Sequence, residues 1–246
     1  MKQFRADLHI HTVLSPCADL EMSPATIVRL AKERGLDLIA ITDHNTTLHG
    51  RLVDELAREQ GLSVLCGSEV NTREEVHCLA YFEDLTALDQ FQLYLDRHLP
   101  RIPYPPEKLG YQALVDREER IVRLIDYYLG VALDQSIDQV EQEVHRLGGL
   151  FVPAHIERTL YGLFNQLGLM PEGLRCDAMG IMRRSQAEEV RKKFGLTDSM
   201  ALIKASDAHT PGDIGAGCTR FEIKALTFDE IKKALRGVDG RKTVAE

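Results

Sequence analysis

The sequence lacks a long hydrophobic run. No apolar stretch approaches the roughly 18 residues that a membrane span needs, and Met1 to Asp7 form no apolar signal-peptide core. Paired cysteines are missing as well: Cys17, Cys66, Cys78, Cys176 and Cys218 are odd in number, scattered, and show no C-x-x-C spacing. A disulfide framework is therefore not expected, and a reducing cytoplasm is the expected location, with no membrane partner. Positive charge is not in excess either, since the formal net charge is -8, the pI is near 5.6, and no stretch interleaves basic with aromatic residues. No broad surface for duplex nucleic acid is expected, because such footprints are usually basic. Internal repeats and low-complexity segments are also absent.

What is present is an ordinary globular composition, 44% hydrophobic and 28% charged, over 246 residues. That length suits a single α/β domain of barrel size covering residues 1–246. Residues 4–12 read as a strand running into polar residues. Ser23-Pro24 offers an N-cap with proline in the first turn, Ile27, Leu30 and Ala31 supply an apolar face, and Gly35 ends the helix. Leu36 to Ile41 is a buried-strand run. A helix near 50–60, a strand at 63–67 and another at 76–82 repeat the pattern. Short apolar strands alternating with amphipathic helices point to a parallel sheet that closes, or nearly closes, into a barrel. Residues 84–133 interrupt this order with Pro100, Pro103, Pro105 and Pro106 among charged helical stretches, which suits an insertion or lid. A helix near 135–147, strands near 150–154, 178–182, 201–205 and 220–223, and a helix at 228–235 follow.

Chemistry gathers at the strand ends. His9 and His11 stand at i and i+2, so on a strand both imidazoles project from one face and can clamp a metal. Asp43-His44, Glu69, His77, His155 and Asp207-x-His209 occupy the other strand ends. Barrel enzymes build their sites where strands end, so residues this far apart in sequence would meet in one pocket. The set exceeds what one tetrahedral ion requires, and more than one metal is implied. Clustered ions suit hydrolysis of phosphate esters, because they supply hydroxide near neutral pH and neutralise phosphoryl charge.

These residues, taken as H-x-H, D-H, E, H and D-x-H in order and spacing, resemble the polymerase and histidinol phosphatase (PHP) superfamily. The resemblance covers residues 3–82 and about 149–210. It implies a distorted seven-stranded, TIM-like (β/α) barrel and a metal-dependent phosphoesterase, either phosphatase or exonuclease-like. By the same resemblance one metal falls to His9, His11, Glu69 and Asp207, a second to Glu69, His77 and His155, and a third to His44 and His209. The family places an Asp or His for the third ion seven or eight residues beyond the first His. Pro16 and Cys17 stand there, with Asp19 and Glu21 just after, so Cys17 and Asp19 are both candidate ligands. Two or three divalent ions, Mn, Fe or Zn, are the expected cofactors.

Other residues take supporting roles in this reading. Asp7 and Asp43 suit partners that orient imidazoles, and Asp43, His209 and Glu69 are the candidate catalytic groups, Asp43 or His209 protonating the leaving oxygen. Arg158, Arg183 and Arg184 are candidates for substrate phosphate, which guanidinium forks bind in pairs. His49, His98 and His145 read as solvated. No side chain is an evident activated nucleophile, so direct attack by water is expected, on a small phosphomonoester or nucleotide in preference to a long nucleic acid. An amidohydrolase of C–N or C–O bonds and a non-catalytic metal-binding accessory domain are the competing readings.

Overall fold

A computed structural model describes residues 1–246. Local signals set its first β-α-β unit. β1 (Lys2–Ile10) leads into a polar loop, and α1 (Pro24–Glu33) begins where Ser23 accepts the Thr26 amide at 3.2 Å. β2 (Leu38–Ile41) is wholly apolar and buried, as a strand covered on both faces should be. α2 (Gly50–Glu59) returns the chain to β3 (Ser63–Asn71), which pairs parallel to β2.

The next connection changes direction. Residues 72–76 are too few for the crossover of about a dozen residues that a parallel pair needs, so β4 (His77–Phe82) folds back antiparallel on β3. α3 (Leu85–His98), capped by the Asp84 carboxylate, buries Phe91 and Leu95 in the largest apolar cluster. α4 (Pro106–Leu109) and a two-stranded ladder of β5 (Ala113–Val115) and β6 (Ile121–Leu124) complete residues 84–133. α5 (Ile137–Arg146) starts with a reciprocal Ser136–Gln139 capping box, and β7 (Leu150–Pro153) pairs antiparallel with β4. The chain ends through α6 (Leu163–Leu167), β8 (Met179–Ile181), α7 (Ala187–Phe194), β9 (Leu202–Lys204), β10 (Thr219–Ile223), α8 (Phe228–Leu235) and β11 (Lys242–Ala245).

Seven strands form one sheet in the order β11-β10-β1-β2-β3-β4-β7, curled into half a barrel, with β8 and β9 as a separate parallel pair. The seven strands and the curl agree with the closed or nearly closed barrel expected from the sequence only in part, since closure is not seen and in the large sheet only β1–β2 and β2–β3 are parallel. The β8–β9 pair is tied in by bonds outside the ladders, among them the Thr219 hydroxyl of β10, which accepts the Lys204 amide at 2.9 Å and donates to the Lys204 carbonyl at 2.8 Å. The Ile156 amide donates to the Gly180 carbonyl at 2.9 Å, and a bridge joins Ile10 to Ala208, with the His11 amide on the Ala208 carbonyl at 3.0 Å.

The β1–β2 ladder shifts register between Asp7 and Ile10. Ala6 and Leu8 consequently join the central apolar cluster with Leu38, Leu79 and Ile203, whereas Ile10 packs under α1 with Ile27, Val28 and Ile39. Such an irregularity re-aims side chains. Here it turns His9 and His11 together toward the rim above the central cluster, their Nε2 atoms 3.1 Å apart.

Candidate metal centre

Five imidazoles converge on Glu69. His9 Nε2, His11 Nε2 and His44 Nδ1 each stand 3.2 Å from Oε2, while His77 Nδ1 and His155 Nε2 stand 2.9 and 3.1 Å from Oε1. Glu69 is only 1% exposed. A carboxylate offers about four lone-pair positions, too few for five ring nitrogens. Asp207 adds a second carboxylate whose Oδ1 lies 3.4 Å from His9 Nε2 and 3.5 Å from His11 Nε2. His44 Nδ1 and Asp207 Oδ1 are nevertheless buried without a hydrogen bond. Electron-pair donors crowded together and partly unpartnered fit cations better than they fit one another. Three groups have mutually close ligand atoms: His9, His11, Glu69 and Asp207; His44, Glu69 and His77; and His11, Cys17, His44 and His209.

Each residue arrives by a different route. His44 follows β2, and Glu69 sits inside β3, which runs further than the sequence suggested. His77 opens β4 and faces the same rim because β4 runs against its neighbour. His155 follows β7 with φ 29°, and Asp207 follows β9 with φ 53°, left-handed conformations that non-glycine residues hold only where the surroundings impose them. His209 Nδ1 lies 2.8 Å from the Asp207 carbonyl, and its ring stacks on His11 with centroids 4.3 Å apart. Tyr161, not foreseen from the sequence, stacks on His77 at 4.2 Å and accepts the His77 amide on its carbonyl. A lone tyrosine in a loop carries no pattern that would have disclosed it.

The supporting acids differ from expectation. Asp43 does not touch an imidazole: its carboxylate accepts the Thr12 amide (2.7 Å), the Thr12 hydroxyl (2.8 Å) and the Ser15 hydroxyl (2.6 Å). Ser15 Oγ lies 3.0 Å from His11 Nδ1, so Asp43 acts on His11 through Ser15. With both oxygens occupied and 1% exposure, Asp43 is misplaced for protonating a leaving group. Asp7 likewise holds backbone, accepting the Ser206 and Gly215 amides at 3.0 and 2.7 Å, and so fixes the loop that presents Asp207 and His209. The three histidines expected to be solvated are all partnered, and one of them is buried. His49 is buried, with Nδ1 2.6 Å from the Thr12 hydroxyl and Nε2 accepting the Val115 amide. His145 lies between Glu141 and Asp177, and His98 bonds Asp134.

Two cavities reach the cluster. One of about 400 Å³ is bordered by His9, His155, Asp207, Ile181, Met182 and Arg183. The other, about 150 Å³, runs past Cys17, His44 and His77 beneath Tyr128 and Tyr161. Arg158 borders both, with Nη1 3.2 Å from Asp207 Oδ2. Arg183 pairs with Asp213 at the larger cavity, whereas Arg184 is exposed and borders neither.

Burial pushes the Glu69 carboxyl up, but the charges of His77, His9 and His44 overcome it and hold the group well below the usual carboxylate range. Asp207 is depressed in the same way by His9 and His11. Burial works to lower His11, yet the neighbouring carboxylates of Asp207 and Glu69 raise it well above an ordinary imidazole. Burial and the neighbouring His11 bring His209 down to about 4, a neutral ring suited to ligation and unsuited to acid catalysis near pH 7. Burial pushes the Cys17 thiol up to about 11.

The PHP domain family model matches residues 7–149 and the PHP-associated model matches residues 184–237; the chain belongs to the PHP family. The uncharacterized Bacillus subtilis protein YqxK is 24% identical over 284 aligned residues, an alignment that takes in 100% of this chain and 65% of YqxK. Among solved structures, the lesion-specific endonuclease PfuEndoQ of Pyrococcus furiosus superposes with a TM-score of 0.77 at 21% identity, over 98% of this chain and 58% of that one. Endonuclease Q in complex with a 27-mer duplex carrying an abasic lesion matches with a TM-score of 0.73 at 19% identity, over 98% and 58%. The chain thus spans less than two thirds of each of these longer proteins. The expectation of no duplex surface is overturned by this likeness, since the fold is shared with a protein solved on duplex DNA. No helix is long and apolar enough to cross a membrane.

Proposed function

We propose that this chain is a metal-dependent phosphoesterase. The observation that carries the reading is the convergence of five imidazoles and two carboxylates beside a cavity bearing Arg158 and Arg183. His9, His11, Glu69 and Asp207 would hold one ion, Glu69, His77 and His155 with His44 a second, and His44 and His209 with His11 a third. Bound there, such ions supply an activated water near neutral pH and neutralise charge on the phosphoryl oxygens.

The chain's own groups do the rest. Arg158 holds the border between the two cavities and offers a fork to phosphate, competing with its present partner Asp207. Arg183 extends that contact along the larger cavity, while Arg184 is too far out to share it. Tyr128 and Gly130, from the 84–133 segment, wall the smaller cavity and limit solvent entry. The side-chain nucleophiles at the site are engaged or unactivated: the Ser15 hydroxyl donates to Asp43, the Ser206 hydroxyl donates to the His9 carbonyl, and the Cys17 thiol is pushed up to about 11. Water therefore attacks phosphorus directly.

A second reading, phosphodiester cleavage in a nucleic acid, is favoured by the superposition of nearly the whole chain on endonuclease Q. Protein reconstituted with manganese or zinc should hydrolyse p-nitrophenyl phosphate or its bis ester, and chelation should remove the activity. Assaying an abasic duplex in parallel separates the two substrates. Loaded protein inert toward all three would sink the phosphoesterase reading.

A further inference from the structure

One of the three donor groups differs in kind. His11, Cys17, His44 and His209 place their ligand atoms within 4.8 Å of one another, and only this group contains sulfur. We propose that Cys17 is a thiolate ligand of this third site, giving it three imidazoles and one sulfur and a preference for thiophilic ions such as zinc, cobalt or cadmium over manganese. The inference rests on the metal-dependent reading above and concerns what one side chain of this sequence contributes to it.

The loop that carries Cys17 is built into the site. The Ala18 amide donates to the Ser15 carbonyl at 3.0 Å, closing a turn around Cys17, and the Asp19 amide donates to the carbonyl of His209 at 2.8 Å. Ser15 is fixed by Asp43 and receives the His44 amide at 3.2 Å on its hydroxyl. From the other side Gly110 presses on the loop so closely, at φ 95°, that a Cβ there would stand 1.8 Å from the Pro16 carbonyl oxygen. Only glycine permits that approach. The backbone on either side of Cys17 is therefore fixed beside His11, His44 and His209.

The rival oxygen ligand is otherwise engaged. Asp19, exposed like Cys17, is not among the clustered donors, and its carboxylate accepts the Glu21 amide at 2.8 Å in a local turn. His44, 7% exposed, belongs both to this group and to the group with Glu69 and His77, and its Nδ1, 3.2 Å from Glu69 Oε2, has no hydrogen bond. Three imidazoles with one sulfur form a set of borderline and soft donors, which zinc accepts readily and manganese does not.

Cobalt titration tests the assignment. Wild-type protein should develop a near-ultraviolet sulfur-to-cobalt charge-transfer band, absent in Cys17→Ser. Cys17→Asp should also lack the band, while its zinc-over-manganese preference falls about tenfold. In wild-type protein, zinc should slow iodoacetamide alkylation of Cys17 by about tenfold or more, with buried Cys66, Cys78 and Cys218 as internal controls. No band in the wild type, a band that survives in Cys17→Ser, or alkylation indifferent to zinc would overturn the assignment. The alkylation arm needs no variant and so survives a folding defect in Cys17→Ser. Phosphate-ester hydrolysis measured on the same samples separates the two claims: a band without hydrolysis refutes the phosphoesterase reading alone, and hydrolysis without a band refutes thiolate ligation alone.

Discussion

At the scale of single residues, Glu69 is the point on which the centre depends, because five imidazoles meet its two oxygens. Glu69→Gln keeps the shape and removes the charge. Turnover should fall by about two to three orders of magnitude, the scale of losing a preorganised electrostatic group, with the far-ultraviolet spectrum unchanged. A variant retaining more than about a tenth of wild-type activity would contradict this role. His9, His11, His44, Glu69, His77, His155, Asp207 and His209 were legible in the sequence because each stands beside a short apolar run, where a strand delivers it to the rim. Cys17 and Asp19 were not separable there. Both lie in a loop without periodicity, and only the folded chain sets the Cys17 sulfur among the clustered donors while the Asp19 carboxylate accepts the Glu21 amide. Asp43 was legible as a partner of the histidines but not as one acting through Ser15, since hydroxyl bridges leave no spacing to read.

At the scale of elements, the sequence shows strands and helices but not their directions. Apolar runs look alike in parallel and antiparallel pairs, and only the shortness of residues 72–76 betrays the reversal at β4. The join of α5 to β7 gives a testable case of element-level energetics. His145, in the last turn of α5, is raised above the ordinary imidazole value by its hydrogen bond to Asp177 and, after the opposing effect of burial, by Glu141. Asp177 also accepts the Phe151 amide of β7 at 2.9 Å, so the histidine links helix to strand. A group raised in the folded state contributes stability that is fully present below its unfolded value near 6.5 and is lost as pH rises through the folded value. His145→Gln should therefore cost about 1 kcal/mol near pH 5.5 and distinctly less near pH 9. Urea unfolding at the two pH values checks this, and an equal cost at both would exclude the ion pair as its source.

At the scale of the whole molecule, net charge misled. A total of -8 says nothing of where charge is placed, and the fold proves to be shared with a protein solved on duplex DNA. Burial of crowded donors at the rim, a few of them unpartnered, also makes the molecule's stability depend on what it binds. Chelation should lower the melting temperature by several degrees, and zinc or manganese should restore it, because a ligand confined to the folded state stabilises by mass action. An unchanged melting curve would show the donors to be self-sufficient. The reversal at β4 has a further consequence, for how the centre is assembled. Glu69 and His77 are eight positions apart on one hairpin, whereas His155 lies 86 positions from Glu69. Closing the short loop costs little chain entropy and closing the long one more. A folding chain thus acquires a two-donor foothold as soon as the β3–β4 hairpin zips, before the later strands exist as partners, and an ion captured there would guide His155 and Asp207 to positions already marked.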